Sequence, residues 1–305
     1  MMLTSKNNFL LSTGYLVLIF LTCCIAFITV LSINKINARI TKFDIANKIE
    51  NKIYELRKIE AEYARTGMDK YKDEVFITIK EIDKIRISLD SKITLTKHKD
   101  FIKEIAISIE NYKKHFVGYS KYLIAQENTD NQMVQIARNL DALVNNFRHE
   151  LELSNEPNKI SKINNINELV IDYLQARRHE KNFILRQDMS YIEKVSANIV
   201  LMEEQCNILL RSLSNRSLIQ QIPAISEAIK QYKDIISLYI TIGAQKTESE
   251  KEMLKSAINS QNLARQIALE QKNLMNRSMK IAQLVVLLIS GITIVFCIML
   301  MKKLE

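Results

Sequence analysis

The chain has 305 residues, of which 47% are hydrophobic and 25% are charged, and its formal net charge is +9. Only three glycines and two prolines lie between residues 34 and 280, which is too few for the turns of a β-sandwich and excludes an all-β fold. Apolar residues recur there every three or four positions, so this segment is predicted to be all-α. Its one cysteine, Cys206, excludes a disulfide framework within it.

Two apolar stretches without a charged residue lie near the ends of the chain, and each reaches the roughly 20 residues that cross a bilayer. Lysines at their outer flanks are expected on the cytoplasmic side, so both ends are predicted to be cytoplasmic. The central domain would then lie outside the cytoplasm, where nucleic acid is not available as a partner. Its positive charge instead favours the binding of small anions or of an anionic surface. The predicted order is a cytoplasmic N-terminus (1–8), a transmembrane helix (9–33), a periplasmic or extracytoplasmic domain (34–280), a second transmembrane helix (281–301) and a cytoplasmic stub (302–305).

An internal repeat organises the central domain. A shift of 120 residues aligns RKIEAEYARTGMDKYKDEV (57–75) with RRHEKNFILRQDMSYIEKV (177–195) without a gap. The same register continues in two later stretches, where apolar positions of 102–119 match 222–239 and those of 133–143 match 253–263. Three stretches in one register favour a true duplication over a chance match between helices.

Each copy is predicted to contain two long helices that break midway. The expected breaks are TGMD (66–69), ENTDN (127–131), QDMS (187–190) and QKTES (245–249), and polar turns join the helices. Each helix would continue in the same direction past its break, and its two segments together would form a rod of about 80 Å. Four such rods predict two stacked four-helix bundles, a membrane-proximal one (36–65, 131–153, 158–186, 249–280) and a distal one (70–126, 188–245).

Charged residues continue the apolar stripes of the repeat. The stripe through Val170 and Tyr173 leads to Arg177 and Glu180, and the matching stripe of the first copy leads to the equivalent arginine and glutamate. The two pairs could form a closed ionic layer, or surplus arginines could clamp a carboxylate ligand. The candidate ligand-binding residues, all expected in or beside the membrane-proximal core, are Arg57, Arg177, Arg178, Arg138, Glu60 and Glu180.

A second site in the distal bundle is possible, because several tyrosines lie near the expected breaks: Tyr71, Tyr191, Tyr119 and Tyr239. The simpler interpretation is that these are core tyrosines with solvated hydroxyls. The four histidines show no metal-ligand spacing, and the sequence has no nucleophile–base arrangement and no phosphate-binding loop. Neither an enzyme nor a cofactor or metal site is expected.

Residues 176–195, their weaker partner at 56–75 and a two-bundle domain between two spans resemble the helical bimodular sensor domain of bacterial chemoreceptors (methyl-accepting chemotaxis proteins) and some sensor kinases. The resemblance implies chemotaxis signal transduction by a homodimeric receptor, with organic acids bound by the proximal arginines and a second small ligand in the distal module. The first copy departs from the motif at Ile59 and Ala61, opposite His179 and Lys181.

The sequence stops soon after the second apolar stretch, whereas members of that family continue into a HAMP linker and an output module. A truncated input half and a stand-alone sensor are both compatible with this. The alternatives to a chemoreceptor input are the input region of a sensor histidine kinase and a structural or scaffold membrane protein without a ligand.

Overall fold

The computed structural model describes residues 2–304, and every regular element among them is a helix. The helices are α1 (Met2–Thr66), α2 (Asp69–Asp90), α3 (Thr96–Leu153), α4 (Lys159–Arg186), α5 (Ser190–Ser212), the short α6 (Arg216–Ile219) and α7 (Ile222–Leu304). The all-α prediction is confirmed. The side chain of Lys6, one of the predicted cytoplasmic flanking residues, lies outside the described part of the chain.

The polar stretches at 66–69 and 187–190 reverse the chain instead of interrupting a rod. α1 ends where Gly67 takes a positive φ of 65°, and α4 ends at Gln187 with a φ of 56°. In both turns the amide of the left-handed residue bonds back to the last helical turn, at 2.8 Å from Gly67 and 2.7 Å from Gln187. Left-handed residues of this kind end helices and redirect the backbone.

Contacts across these turns show that the paired helices are antiparallel. The ammonium of Lys52 on α1 lies 2.8 Å from the carboxylate of Glu81 on α2. Gln205 on α5 donates to Glu168 on α4 at 2.9 Å. The prediction of rods that continue past positions 66–69 and 187–190 is therefore wrong, because each of these helices has its successor packed beside it.

The predicted breaks at 127–131 and 245–249 are wrong, since α3 runs unbroken through the first and α7 runs unbroken through the second. The threonine hydroxyls in these two stretches donate hydrogen bonds to carbonyl groups of their own helix. The hydroxyl of Thr129 donates to the carbonyl of Ala125 at 2.7 Å, and that of Thr247 donates to the carbonyl of Gly243 at 3.0 Å. A Thr side chain that bonds one turn back is compatible with a continuous helix.

The chain divides into two compact units. Unit 1 comprises the described residues up to Val117 and from Glu250 onwards, and unit 2 comprises Gly118–Ser249. α1 and α2 belong to unit 1, α4 to α6 belong to unit 2, and α3 and α7 contribute a segment to each. The predicted division is therefore wrong: 131–153 and 158–186 do not join 36–65, and 188–245 does not join 70–90, because α2 and α5 turn back beside α1 and α4.

The repeat is visible in the burial of the side chains. Residues 51–60 and 171–180 have the same order of buried, half-buried and exposed positions, and 101–110 differs from 221–230 at one position. The hydrophobic core of unit 2 is formed by residues of α3, α4, α5, α6 and α7. Each unit thus contains one copy of the repeated helical hairpin and the start of the helix that follows it.

Both terminal helices contain an apolar stretch long enough to cross a membrane. In α1 and in α7 none of the residues in the most apolar window is buried within the structure. Two such exposed apolar helices are consistent with a two-pass membrane protein.

Candidate functional site

Each unit contains one buried cluster of an arginine, a glutamate and a tyrosine. The unit 1 cluster is Arg57, Glu60 and Tyr112, and the unit 2 cluster is Arg177, Glu180 and Tyr232, which correspond under the 120-residue shift. In both clusters the arginine and glutamate are three residues apart on one helix, so they share a face. The tyrosine comes from α3 in unit 1 and from α7 in unit 2.

In the unit 1 cluster both carboxylate oxygens of Glu60 have hydrogen-bond donors. Nη1 of Arg57 donates to Oε1 at 2.6 Å and to Oε2 at 2.5 Å, and the hydroxyl of Tyr112 also donates to Oε2. Glu60 is 5% exposed. A buried carboxylate is stabilised when its lone pairs are used in this way, so this cluster is complete without a ligand.

In the unit 2 cluster both donors bond the same oxygen. Nη1 of Arg177 and the hydroxyl of Tyr232, the latter at 2.6 Å, donate to Oε2 of Glu180. Oε1 of Glu180 is buried and has no hydrogen-bond partner, although Glu180 is only 1% exposed. Nζ of Lys181 lies 3.5 Å from this oxygen and 3.8 Å from Oδ1 of Asp130 on α3. That oxygen of Asp130 is likewise buried without a hydrogen bond.

The protonation of the clusters follows from their burial. Burial, followed by the charge of the adjacent glutamate, raises the pKa of Tyr112 and of Tyr232, so both phenols keep their protons and act as donors. Burial also raises the pKa of Glu60, although the hydrogen bond from Tyr112 and the charge of Arg57 act in the opposite direction. The charge of Glu250, on the α7 segment of unit 1, adds to this rise.

The predicted arginine site is not assembled as expected. Arg57 and Arg177 lie in different units, so the two pairs do not share one core. Arg138 and Arg178 are exposed. On the unbroken α3 the inward positions near Arg138 are Ala137 and Leu140, which directs the arginine to solvent. Each half-buried arginine is matched by its own glutamate, and the predicted surplus of buried positive charge is absent from these two clusters.

The four tyrosines predicted for a distal site do not form one group either. Tyr71 lies in unit 1, whereas Tyr119, Tyr191 and Tyr239 lie in unit 2. Tyr191 is half-buried, and its hydroxyl accepts a hydrogen bond from Arg186 at 2.7 Å. Tyr119 and Tyr239 are buried.

Tyr239 adds a second phenol beside the unit 2 cluster. Burial raises its pKa, the charge of Asp130 adds to the rise, and that of Glu180 contributes less. A hydrogen bond with Gln126 acts in the opposite direction. The hydroxyl of Tyr239 therefore lies in the field of the same two carboxylates whose oxygens lack donors.

Four participating residues were absent from the sequence-based site. Tyr112 and Tyr232 match each other in the repeat, so the combination of repeat identity and inward helical position could have identified them. Lys181 and Asp130 could not be found in this way, because their proximity depends on how α3 packs against α4. Among the described residues, no group of three or more His, Cys, Asp or Glu side chains is placed to hold a metal ion.

Comparison with known proteins does not assign this arrangement. No protein-family model matches the chain, and no curated protein matches it.

Proposed function

We propose that the chain is the input region of a two-pass membrane receptor, in which an extracytoplasmic helical domain binds a small ligand and α7 carries the signal across the membrane. One observation carries this proposal: a single unbroken helix, Ile222–Leu304, contains both Tyr232 of the unit 2 cluster and the apolar segment 281–301. Since a continuous helix is stiff along its axis, a displacement at the cluster can pass along α7 as a small shift or rotation.

The proposed topology follows the two apolar segments. Both ends of the chain are cytoplasmic, the spans are 9–33 and 281–301, and the intervening domain is extracytoplasmic, which in a bacterium with two membranes means periplasmic. The lysines beside the outer ends of the spans support this orientation.

In the proposed architecture each unit is a four-helix bundle, and the stacking of the two bundles stays a prediction. Unit 1 would be built from α1, α2 and segments of α3 and α7, and unit 2 from α4, α5 and the other segments of α3 and α7. The duplicated burial pattern supports equivalent bundles. The similarity of residues 176–195 to the helical bimodular sensor domain supports a chemoreceptor or sensor-kinase input that works as a homodimer.

The predicted organic-acid ligand stays a prediction, and the geometry makes a specific demand on it. An acid bound by Arg177 or Arg57 would have to share the guanidinium with Glu180 or Glu60, which already accepts from Nη1. If an acid is the ligand, Arg177→Ala or Arg57→Ala should abolish its effect, whereas the exposed Arg178 and Arg138 serve as matched controls.

The test uses the full chain in lipid nanodiscs and two readouts. The first is the thermal unfolding midpoint with di- and tricarboxylates, acetate, amino acids and small amines. A ligand at 100 times its Kd should add about 2.7 kcal/mol to the free energy of unfolding. The second is the maleimide labelling rate of Lys280→Cys, an exposed position just before the apolar segment of α7.

For the labelling readout Cys23, Cys24 and Cys297 are replaced by serine. Cys206 can stay, because burial raises the pKa of its thiol to about 11 and keeps it unreactive at neutral pH. A compound that raises the midpoint and also changes the labelling rate supports the receptor function. If no compound raises the midpoint, or if a stabilising compound leaves the rate unchanged, the proposal is wrong.

A second candidate, a structural membrane protein without a ligand, is favoured by the ion pairing. Arg57 and Arg177 are each neutralised by the glutamate three positions later, an arrangement that can fix helix register without any ligand. In that case the whole compound panel should leave both readouts unchanged, and replacing the Arg57–Glu60 pair by leucines should leave membrane insertion intact.

A further inference from the structure

The most unusual feature of unit 2 is a pair of carboxylate oxygens with no hydrogen-bond donor. Oε1 of Glu180 and Oδ1 of Asp130 are both buried atoms without a partner, and they come from two helices, α4 and α3. Buried acceptors in proteins are nearly always bonded, so two vacant acceptors facing one cation indicate a place for donors.

Lys181 does not fill this place. Its Nζ lies 3.5 Å from Glu180 and 3.8 Å from Asp130, whereas a direct charge-assisted bond is about 2.7–2.9 Å long. The side chain of Lys181 is 48% exposed and that of Asp130 is 42% exposed, whereas the side chain of Glu180 is 2% exposed. Lys181 and Asp130 therefore lie at the surface of unit 2, and the buried carboxylate of Glu180 lies directly behind them.

We propose that unit 2 binds the primary ammonium group of a small amine between Glu180 and Asp130, and that Lys181 is a tethered competitor which moves into solvent when the amine enters. An ammonium group has three donors and can bond both oxygens at once. With Lys181 displaced, the site holds two carboxylates, the guanidinium of Arg177 and the ligand cation, so its charge is balanced.

The phenol of Tyr239 provides a further wall for such a ligand. Its pKa is raised by burial and by the charges of Asp130 and Glu180, and its ring packs edge-on against Phe183 with centroids 6.4 Å apart. A neutral aromatic side chain beside two carboxylates suits an alkylammonium ion, whose cationic end needs acceptors and whose alkyl end needs apolar contact.

Unit 1 provides the internal contrast. Both oxygens of Glu60 already have donors, and the position of Lys181 is taken by Ala61. The residue that corresponds to Asp130 under the repeat is Glu250, which is exposed. The amine site is thus expected in unit 2 alone. This inference rests on the proposed receptor function in one respect, because a bound amine can act as a signal only if the chain is a receptor.

The test is a calorimetric titration of the full chain in nanodiscs with methylammonium and ethylammonium chloride. Tetramethylammonium, which has the same charge and no N–H donor, and sodium chloride at equal ionic strength are the controls. The proposal predicts binding of the two primary amines and at least about tenfold weaker binding of tetramethylammonium. Equal heats from all three cations would overturn it.

Three variants make the test specific. Asp130→Asn should weaken methylammonium binding by about tenfold or more, and Lys181→Ala should strengthen it by a similar factor because the competitor is gone. Glu250→Gln, the matched change in unit 1, should leave the Kd unchanged. Circular dichroism checks that each variant keeps its helical content. An unchanged Kd in Asp130→Asn or Lys181→Ala contradicts the site.

The outcomes separate this inference from the receptor function. Amine binding without a change in the labelling rate of Lys280→Cys supports the site and contradicts the receptor. No amine binding, together with another compound that changes the labelling rate, contradicts the site and leaves the receptor function standing.

Discussion

Unit 1 and unit 2 carry the same arginine, glutamate and tyrosine in the same helical register, yet they complete the cluster differently. In unit 1 the donors are shared between both oxygens of Glu60. In unit 2 both donors bond one oxygen of Glu180 and leave the other vacant. The repeat therefore fixes where the arginine–glutamate pair lies. The orientation of the two side chains and the residues at two nearby positions decide whether both carboxylate oxygens have a hydrogen-bond donor.

The ends of the two units also differ, in how deeply the carboxylate that holds each end is buried. In unit 2 the turn between α3 and α4 is held by Glu156, which accepts hydrogen bonds from buried Lys162 and from the backbone amides of Ser214 and Asn215. In unit 1 the start of α3 is held to α7 by His98, whose Nε2 lies 2.6 Å from the half-exposed Glu270. Unit 2 thus has an almost fully buried ion pair, whereas the corresponding contact of unit 1 joins buried His98 to a carboxylate that is partly solvated.

The largest expected effect follows from this difference. Glu156→Ala should lower the free energy of unfolding of unit 2 by about 3–5 kcal/mol, because Lys162, which is 4% exposed, loses its only carboxylate partner in the described structure. Glu270→Ala should cost unit 1 less, about 1–2 kcal/mol, because buried His98 loses a hydrogen bond but the lost carboxylate was already partly solvated. Hydrogen exchange of α4 and α1 peptides measures both, and equal losses would contradict the contrast.

The tyrosines should give the next largest effect. Tyr232→Phe should cost about 2–3 kcal/mol, because Glu180 then keeps a single hydrogen-bond donor, Arg177. Tyr112→Phe should cost about 1–2 kcal/mol, because Glu60 keeps both bonds from Arg57. Chemical denaturation followed by circular dichroism compares the two. A larger loss in Tyr112→Phe would mean that unit 1 is the less complete cluster.

The pH dependence should reveal the burial of Glu60. Since its pKa is raised in the folded state, the folded chain binds this proton more tightly than the unfolded chain. Its contribution to stability is present below the ordinary glutamate pKa and is lost as pH rises through the raised value. Within that window the wild type should lose up to about 1.4 kcal/mol per pH unit relative to Glu60→Gln.

Glu156 should show the opposite sign. Burial acts to raise its pKa, but the hydrogen bonds from Lys162 and from the amides of Asn215 and Ser214 together lower it. Its contribution to stability is present above the ordinary glutamate pKa and is lost as pH falls. Denaturation of the wild type, Glu60→Gln and Glu156→Gln between pH 3 and pH 8 checks both signs, and parallel curves would contradict them.

The smallest effects are expected at the two exposed arginines. Arg138→Ala and Arg178→Ala should change the free energy of unfolding by no more than about 0.5 kcal/mol, since neither side chain is buried. Thermal denaturation of both variants measures this. A loss as large as that of Tyr232→Phe would support the predicted site, in which Arg138 and Arg178 lie in or beside the same core as Arg57 and Arg177.

The sequence predicted the helical class, the ends of α1 and α4, and the inward position of Arg177 and Glu180, because these depend on local periodicity and on short polar stretches. It could not distinguish a break from a reversal at Gly67, since both need the same local residues and only the pairing of Lys52 with Glu81 separates them. For the same reason Thr129 looked like part of a break, although its hydroxyl bonds within α3.

The candidate site was predictable only in part. The Arg–Glu spacing places each pair on one face, and this much follows from the helix repeat. Which carboxylate oxygen each donor reaches depends on side-chain rotation. The approach of Asp130 to Lys181 depends on the packing of α3 against α4, which no local pattern encodes.

Hydrogen exchange of the full chain in nanodiscs, with and without saturating methylammonium, tests the difference between the two clusters most directly. Slower exchange is expected in peptides around 176–186 of α4 and 126–134 of α3, with no change in the matching 56–66 of α1. Equal protection of the two clusters, or protection of the α1 peptide alone, would contradict the conclusion that, of the two clusters, only the one in unit 2 has a vacant carboxylate oxygen for a ligand.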